Sequence, residues 1–111
     1  MSFPIATESL ETILNRVIDR IVSVAHPLKI VLFGSASRGE LGPHSDLDLL
    51  VVVPPGIHRR KTAQMIYRQL IGVDFPVDVV VVTAEDLEQF KDHCGMVIRP
   101  ALAEGRVLYA A

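Results

Sequence analysis

Asp46 and Asp48 begin the segment DLDLLVVV, in which two acids precede an apolar run over residues 46–53. The run predicts a β-strand, and side chains on a strand alternate between its two faces. Both carboxylates should therefore point to one face, while Leu47 and Leu49 point to the core. Two carboxylates this close repel each other unless a cation lies between them, and oxygen ligands suit Mg²⁺ or Mn²⁺. The spacing predicts a divalent metal site.

A third acid, Asp78, lies near the start of VDVVVVT, a later predicted strand over residues 77–83. If the two acid-bearing strands are neighbours in the sheet, Asp78 completes a cluster of three carboxylates. Three acids can hold two metal ions that clamp the entering and leaving oxygens of a phosphate during in-line attack. Asp46, Asp48 and Asp78 are therefore the predicted catalytic and metal-binding residues.

The loop before the first acid pair suits a phosphate ligand. Gly34 lets the backbone approach a ligand closely, Ser35 offers a hydroxyl and an N–H, and Arg38 can donate two hydrogen bonds to phosphate oxygens. A lone Gly-Ser pair or a lone D-x-D is common in turns and at solvated strand ends. The joint pattern is more specific: a strand, Gly-Ser, ten residues, Asp-Leu-Asp, a strand and a later acid.

The elements that must position these residues follow from periodicity and turn signals. The loop between the first two strands is too short for a normal crossover helix, which predicts that they pair antiparallel. The order α-β-β-α-β-α predicts an α+β domain, a two-layer arrangement in which a small mixed sheet is backed by helices on one side. The predicted elements are helices over residues 8–25 and 57–71, strands over 29–33, 46–53 and 77–83, a helix capped by Thr83 that runs to about Phe90, a possible further helix over 96–104 with a kink at Pro100, and a short edge strand RVLY.

Composition limits the kind of protein. The chain has 111 residues, enough for one small domain, and its net charge of −2 offers no broad attraction for nucleic acid. The single cysteine, Cys94, cannot form an internal disulfide, which suits a reducing compartment. The N-terminus lacks the pattern of a signal peptide, and no apolar run approaches the ~20 residues that span a bilayer. We expect a soluble cytoplasmic protein without direct nucleic-acid binding.

Other residues are weaker candidates. The basic run over residues 58–61 could contact a phosphate, RNA or an acidic partner, but a solvated helix start is the favoured interpretation. Tyr67 and Tyr109 are expected in the core or an interface rather than in catalysis. His93 and Cys94 lack the further ligands that a zinc site needs.

The stretch GSASRGELGPHSDLDLLVV resembles the G-S-x10-D-x-D signature of the polymerase-β-like nucleotidyltransferases. The length and the ending resemble the minimal nucleotidyltransferases (MNT proteins), over nearly the whole chain. The resemblance implies one nucleotidyltransferase domain over residues 1–111, with ATP as substrate and two Mg²⁺ ions held by Asp46 and Asp48. Asp78 would bind the catalytic metal and help to activate the acceptor hydroxyl.

The resemblance also assigns the nucleotide-binding residues. Gly34 and Ser35 would hold the triphosphate, and Arg38 would contact a phosphate or a partner rather than act as a base. Ser45, directly before the strand, would be either a structural cap or a contact to the metal ligands within the nucleotide site.

About 28 residues follow Thr83, which leaves little chain for a second, acceptor-binding domain. The acceptor site must then come from an oligomer or from a partner protein. The resemblance implies a HEPN-domain toxin partner and transfer of AMP from ATP to a tyrosine of that toxin, which would make this chain an antitoxin. Two alternatives remain open: a non-catalytic antitoxin that occludes its toxin, and a homodimeric nucleotidyltransferase that modifies a small molecule. The sequence does not predict the nucleotide base.

Overall fold

The computed structural model describes residues 10–33, 47–73, 75–90 and 105–111. Within these ranges the chain forms three helices and four strands, in the predicted order. They are α1 (Leu10–Ala25), β1 (Lys29–Phe33), β2 (Leu47–Val53), α2 (Arg59–Gln69), β3 (Val77–Thr83), α3 (Ala84–Phe90) and β4 (Arg106–Ala110). The predicted helix over 96–104 and the kink at Pro100 lie outside the described residues.

The four strands form one mixed sheet in the order β3-β2-β1-β4. β1 pairs antiparallel with both β2 and β4, whereas β2 and β3 run parallel and are joined through α2. The predicted antiparallel pair and the predicted edge strand near the C-terminus are confirmed. The α+β fold class with a small mixed sheet is therefore confirmed.

One face of the sheet packs against α1 and α2. The apolar stripe of α1 lies on this face because its side chains recur every three or four residues, and α2 with its C-cap residue contributes two further side chains. Alternate residues of β2 meet them, which agrees with the period of a strand. The buried members are Leu14, Val17 and Ile21 of α1, Ile66 of α2 with Leu70 beside it, Ile30 and Leu32 of β1, Leu47, Leu49, Val51 and Val53 of β2, and Val79 of β3.

The opposite face is also apolar over most of its length. Val31, Leu50, Val52 and Val82 are buried there. Leu87 of α3 packs against this second cluster, so α3 contacts the face opposite to α1 and α2. Among the described helices, the expectation that every helix lies on one side therefore holds for α1 and α2 but not for α3.

The helix ends explain where the elements stop. His26 follows α1 with a positive φ of 45° and donates its N–H to the carbonyl of Val22, and Pro27 then prevents continuation. α2 begins two residues later than the predicted 57–71 because His58 caps its N-terminus by accepting the N–H of Lys61 at Nδ1, and it ends two residues earlier, at Gln69. No helix in the described part of the chain is both long and apolar enough to cross a bilayer.

The predicted cap of α3 is confirmed as a reciprocal pair of hydrogen bonds. Thr83 Oγ1 accepts the N–H of Asp86 at 3.1 Å, and Asp86 Oδ2 accepts the N–H of Thr83 at 2.9 Å. Arg59 adds an ion pair to the same carboxylate at 2.9 Å, which ties the start of α2 to the start of α3. The bond from the Thr83 N–H, with smaller contributions from the Thr83 hydroxyl and Arg59, lowers the pKa of Asp86.

We expect Asp86→Ala to lower the free energy of unfolding by about 1 kcal/mol at pH 7, the usual worth of a helix cap. Because the pKa of Asp86 is lower in the folded chain, its contribution is present above its unfolded-state pKa and is lost as the pH falls through the folded one. The difference from wild type should therefore shrink below about pH 4. Urea unfolding at pH 7 and pH 3 measures this.

Glu85→Ala is the matched control, because Glu85 is an exposed acid in the same first turn of α3. Equal losses from the two variants at pH 7 would contradict the role of Asp86.

Candidate functional site

The register of the sheet brings two of the three predicted acids together. Asp48 and Asp78 are direct partners across the parallel pair β2–β3. Phe33, the last residue of β1, is the partner of Asp48 on its other side. Neighbouring strands lie about 4.8 Å apart, so these three residues form one row across three strands.

Both carboxylates lie on the face opposite to α1 and α2. Leu47 and Leu49 are completely buried in the first core, so the residue between them must point the other way. Asp78 likewise alternates with Val77 and Val79, which both pack in that core. Asp48 is half-buried and Asp78 is exposed. The predicted alternation of acids and core residues at the start of β2 is confirmed for Asp48.

The local sequence explains why the row forms at this end of the strands. The N–H of Leu47 donates to the carbonyl of Pro76 at 3.0 Å, so the parallel ladder begins one residue before the acids. Pro76 has no N–H to donate, which suits a residue at the start of a strand. Each acid is thus the second residue of its strand, next to solvent rather than in the middle of the sheet.

The environment of the row is asymmetric. Towards the middle of the sheet lies the second apolar cluster, to which Phe33 and Val80 contribute alongside the fully buried Leu50. Away from it the strands end. The carboxylates of Asp48 and Asp78 lie beside these apolar side chains. Like charges in such a place repel each other more strongly than in bulk water, because fewer water molecules screen them. This arrangement favours a divalent cation between the carboxylates, and an all-oxygen donor pair fits Mg²⁺ or Mn²⁺.

The remaining predicted site residues lie outside the described part of the chain: Gly34, Ser35, Arg38, Ser45 and Asp46. The third carboxylate of the predicted cluster is among them. Within the described ranges, no group of three or more His, Cys, Asp or Glu residues is arranged to hold a metal ion. The three-acid cluster and the phosphate loop therefore stay predictions.

The basic run over residues 58–61 lies at the opposite end of the parallel pair. Val53 and Thr83 are partners there, five residue pairs beyond the acids, which is about 17 Å along the strands. All four basic residues are exposed. His58 caps α2 and Arg59 pairs with Asp86, as expected for a solvated helix start. An open groove of about 700 Å³ lies between them and α3.

Tyr67 has a role that the sequence analysis missed. Its hydroxyl accepts the N–H of Val79, the residue after Asp78, at 2.8 Å. The contact joins α2 to the outer edge of β3. No local pattern signals it, because a helix position and a strand position meet there only through the packing of the sheet.

Comparison with known proteins identifies the class. A family model described as a nucleotidyltransferase domain matches residues 10–108. The chain therefore belongs to the nucleotidyltransferase domain family, and the prediction that it is a nucleotidyltransferase is confirmed. No curated protein sequence matches the chain significantly.

Solved structures share the fold at low sequence identity. A chain of a mutant MntA–HpeT toxin–antitoxin structure matches with a TM-score of 0.62 and 20% identity, over 87% of this chain and 72% of that one. A chain of a toxin–antitoxin structure with AMP-PNP matches with a TM-score of 0.60 and 22% identity, over 88% and 73%. A chain of the tri-AMPylated Shewanella oneidensis HEPN toxin in complex with MNT antitoxin matches with 0.57 and 19%, over 91% and 72%.

The paired acids give a stability prediction that is independent of activity. In a buffer with EDTA, Asp78→Asn should raise the free energy of unfolding by roughly 0.2–1 kcal/mol, because like charges directly opposite each other on neighbouring strands are destabilising. Urea unfolding measures the change. Asp19→Asn, at an exposed acid of α1, should have no comparable effect. A less stable Asp78→Asn variant would contradict the proximity of the two carboxylates.

Proposed function

We propose that this chain is a Mg²⁺-dependent nucleotidyltransferase of the minimal (MNT) type that transfers AMP from ATP to a tyrosine hydroxyl of a HEPN-type toxin. The observation that carries the proposal is the direct pairing of Asp48 with Asp78 on one face of a nucleotidyltransferase sheet. A metal-dependent transferase requires convergent carboxylates, and this register supplies two.

In this proposal Asp46, Asp48 and Asp78 hold the metal ions, which when bound neutralise charge on the phosphate oxygens. Gly34 directly follows Phe33 in the chain, and Phe33 is the partner of Asp48. The Gly-Ser motif therefore begins one residue along the chain from the row that contains the acids. Gly34 and Ser35, with Arg38 and Ser45, bind the triphosphate.

The transfer itself is a substitution at the α-phosphorus of ATP. The acceptor oxygen forms a bond to this phosphorus, the bond to the bridging oxygen breaks, and pyrophosphate leaves. Asp78 is the group we assign to receive the hydroxyl proton, because it is exposed and lies on β3, the edge strand of the sheet. An acceptor can approach an acid at the sheet edge without displacing the core. General-base assistance of this kind typically contributes about 10²–10⁴-fold to a rate.

The partner assignment is supported by the structures that share the fold. One of them contains a HEPN toxin that carries AMP groups together with an MNT antitoxin, and another contains AMP-PNP. The described residues form one sheet with three helices. In this proposal a toxin that presents its own tyrosine supplies the acceptor.

The alternative of a purely occluding antitoxin is less consistent with the acid pair. Like charges directly opposite each other on adjacent strands are destabilising, and a bound metal ion would offset that cost. An occluding surface would have no need of them.

Metal binding gives the first test. Saturating Mg²⁺ should stabilise the wild-type chain by about 2.7 kcal/mol at a concentration 100 times the dissociation constant. Asp48→Asn and Asp78→Asn should lose most of this gain, because each removes one carboxylate ligand, whereas Asp19→Asn should keep it. Thermal unfolding with and without Mg²⁺ measures the effect. Equal Mg²⁺ responses in all four proteins would argue against the metal site.

AMP transfer gives the second test. The chain is incubated with Mg²⁺ and α-phosphate-labelled ATP in a lysate of its source, and the label is followed on a protein gel. We expect a labelled partner band with wild type and Asp19→Asn, and a loss of at least about 100-fold with Asp46→Asn or Asp48→Asn. Mass spectrometry of the band should place AMP on a tyrosine.

The other outcomes of this assay separate the alternatives. Label only in small molecules would support a small-molecule nucleotidyltransferase and reject the protein acceptor. Absence of label, together with unchanged toxin neutralisation by Asp46→Asn, would support the occluding antitoxin.

A further inference from the structure

β3 carries Asp78 at the exposed border of the sheet. It pairs with β2 on one side and is the first strand in the order, so no described strand pairs with its other side. An edge strand has N–H and C=O groups without a strand partner and is the part of a sheet most easily displaced. The position of Asp78 relative to Asp48 therefore depends on what holds the outer edge of β3.

Tyr67 of α2 holds that edge at the position next to the acid. Its Oη accepts the N–H of Val79 at 2.8 Å and lies 3.5 Å from the carbonyl oxygen of the same residue. One phenolic hydroxyl thus faces both outward polar groups of Val79. The nitrogen of Val79 is bonded directly to the carbonyl carbon of Asp78, so the hydrogen bond restrains the peptide unit of the acid itself.

α2 is a firm support for this hydrogen bond. Ile66, next to Tyr67 on the helix, is completely buried in the first core, and Leu70 is almost so. At the C-terminal end of the helix, Arg20 of α1 donates to the carbonyls of Gln69 and Ile71 at 2.9 and 3.1 Å. The helix is therefore fixed to the core and to α1. Through the hydrogen bond of Tyr67, the position of β3 is fixed relative to this helix.

The other side-chain bond to the outer edge of β3 in the described ranges is distant. It joins the N–H of Thr83 to Asp86, four residues beyond Val79. On the inner side, the Leu47–Pro76 bond closes the start of the ladder. Tyr67 thus acts on the stretch of β3 that carries the acid, where no other side-chain hydrogen bond between described residues reaches the outer edge of the strand.

We infer that Tyr67 is a positioning residue for the Asp48–Asp78 pair. Its hydroxyl holds β3 in register beside β2 where the two carboxylates meet, and the affinity of the pair for a divalent cation depends on this bond. The metal part of the inference rests on the proposed function, whereas the restraint on β3 does not. The side chain of Tyr67 is 43% exposed, so burial of its ring in the core is not its main contribution.

The test compares Tyr67→Phe with Tyr109→Phe in the full chain. Both changes remove one hydroxyl and keep the ring. Tyr109, on β4, packs against the first core, and its hydroxyl makes no hydrogen bond to a described residue. Mn²⁺ affinity is measured by titration calorimetry, and amide hydrogen exchange is measured at Asp78, Val79 and, as a reference for global unfolding, Val51.

We expect Tyr67→Phe to weaken Mn²⁺ binding about fivefold, the factor that corresponds to one typical hydrogen bond. Exchange at Asp78 and Val79 should accelerate relative to exchange at Val51, and Tyr109→Phe should match wild type in both measurements. In an AMP-transfer assay, the Mg²⁺ concentration for half-maximal rate should rise while the rate at saturating Mg²⁺ changes little. A uniform acceleration at all three amides would indicate general destabilisation and overturn the inference.

The failures of the two proposals are distinguishable. Wild-type Mn²⁺ affinity in Tyr67→Phe, with normal binding by the wild-type chain, would overturn the positioning role. A wild-type chain that binds no Mn²⁺ would overturn the metal site of the proposed function instead. The exchange rates at Asp78 and Val79 would then still decide whether Tyr67 restrains β3.

Discussion

The in-register parallel pairing of β2 with β3 is the constraint on which the rest of the site depends. The ladder has seven residue pairs, from Leu47 with Val77 to Val53 with Thr83. Asp48 and Asp78 form the second of them. A shift by one residue would move every side chain of a strand to the other face. Leu49 and Leu50 are both completely buried, on opposite faces, so the apolar residues of β2 would fit either face after such a shift. Asp48 would not, because the shift would turn its carboxylate towards the first core, where desolvation is costly. The acid and the apolar run together thus determine the register in which the acids meet.

The site is placed where this burial ends. An acid at the position of Leu50 would lose its solvation without compensation, at a cost of several kcal/mol. Asp48 and Asp78 instead occupy the second position of each strand, half-buried and exposed respectively. There the sheet still dictates the separation of the two side chains, while both remain accessible to solvent. The core supplies rigidity and the strand ends supply access.

The antiparallel first strand explains why the acids lie at the amino ends of β2 and β3. In open parallel sheets ligands normally bind beyond the carboxyl ends of the strands. Here β1 runs against β2, so its carboxyl end, Phe33, arrives beside Asp48. The Gly-Ser motif follows Phe33 in the chain. A mixed sheet therefore brings the end of β1 and the starts of two acid-bearing strands to one border, whereas the caps of α2 and α3 lie towards the carboxyl ends of β2 and β3.

The sequence by itself determined the strands, the antiparallel first pair, the capped start of α3 and the position of Asp48 on the face of β2 opposite to Leu47 and Leu49. These features depend on local periodicity, loop length and hydrogen bonds between residues close in the chain. Only the tertiary structure decided that Asp78 is the direct partner of Asp48, because strand order and register depend on how both faces are packed. It also decided that Tyr67 supports β3 and that Leu87 lies on the second face. Such contacts join residues that are distant in sequence. No local sequence pattern predicts them, because they depend on how the helices and strands pack against one another.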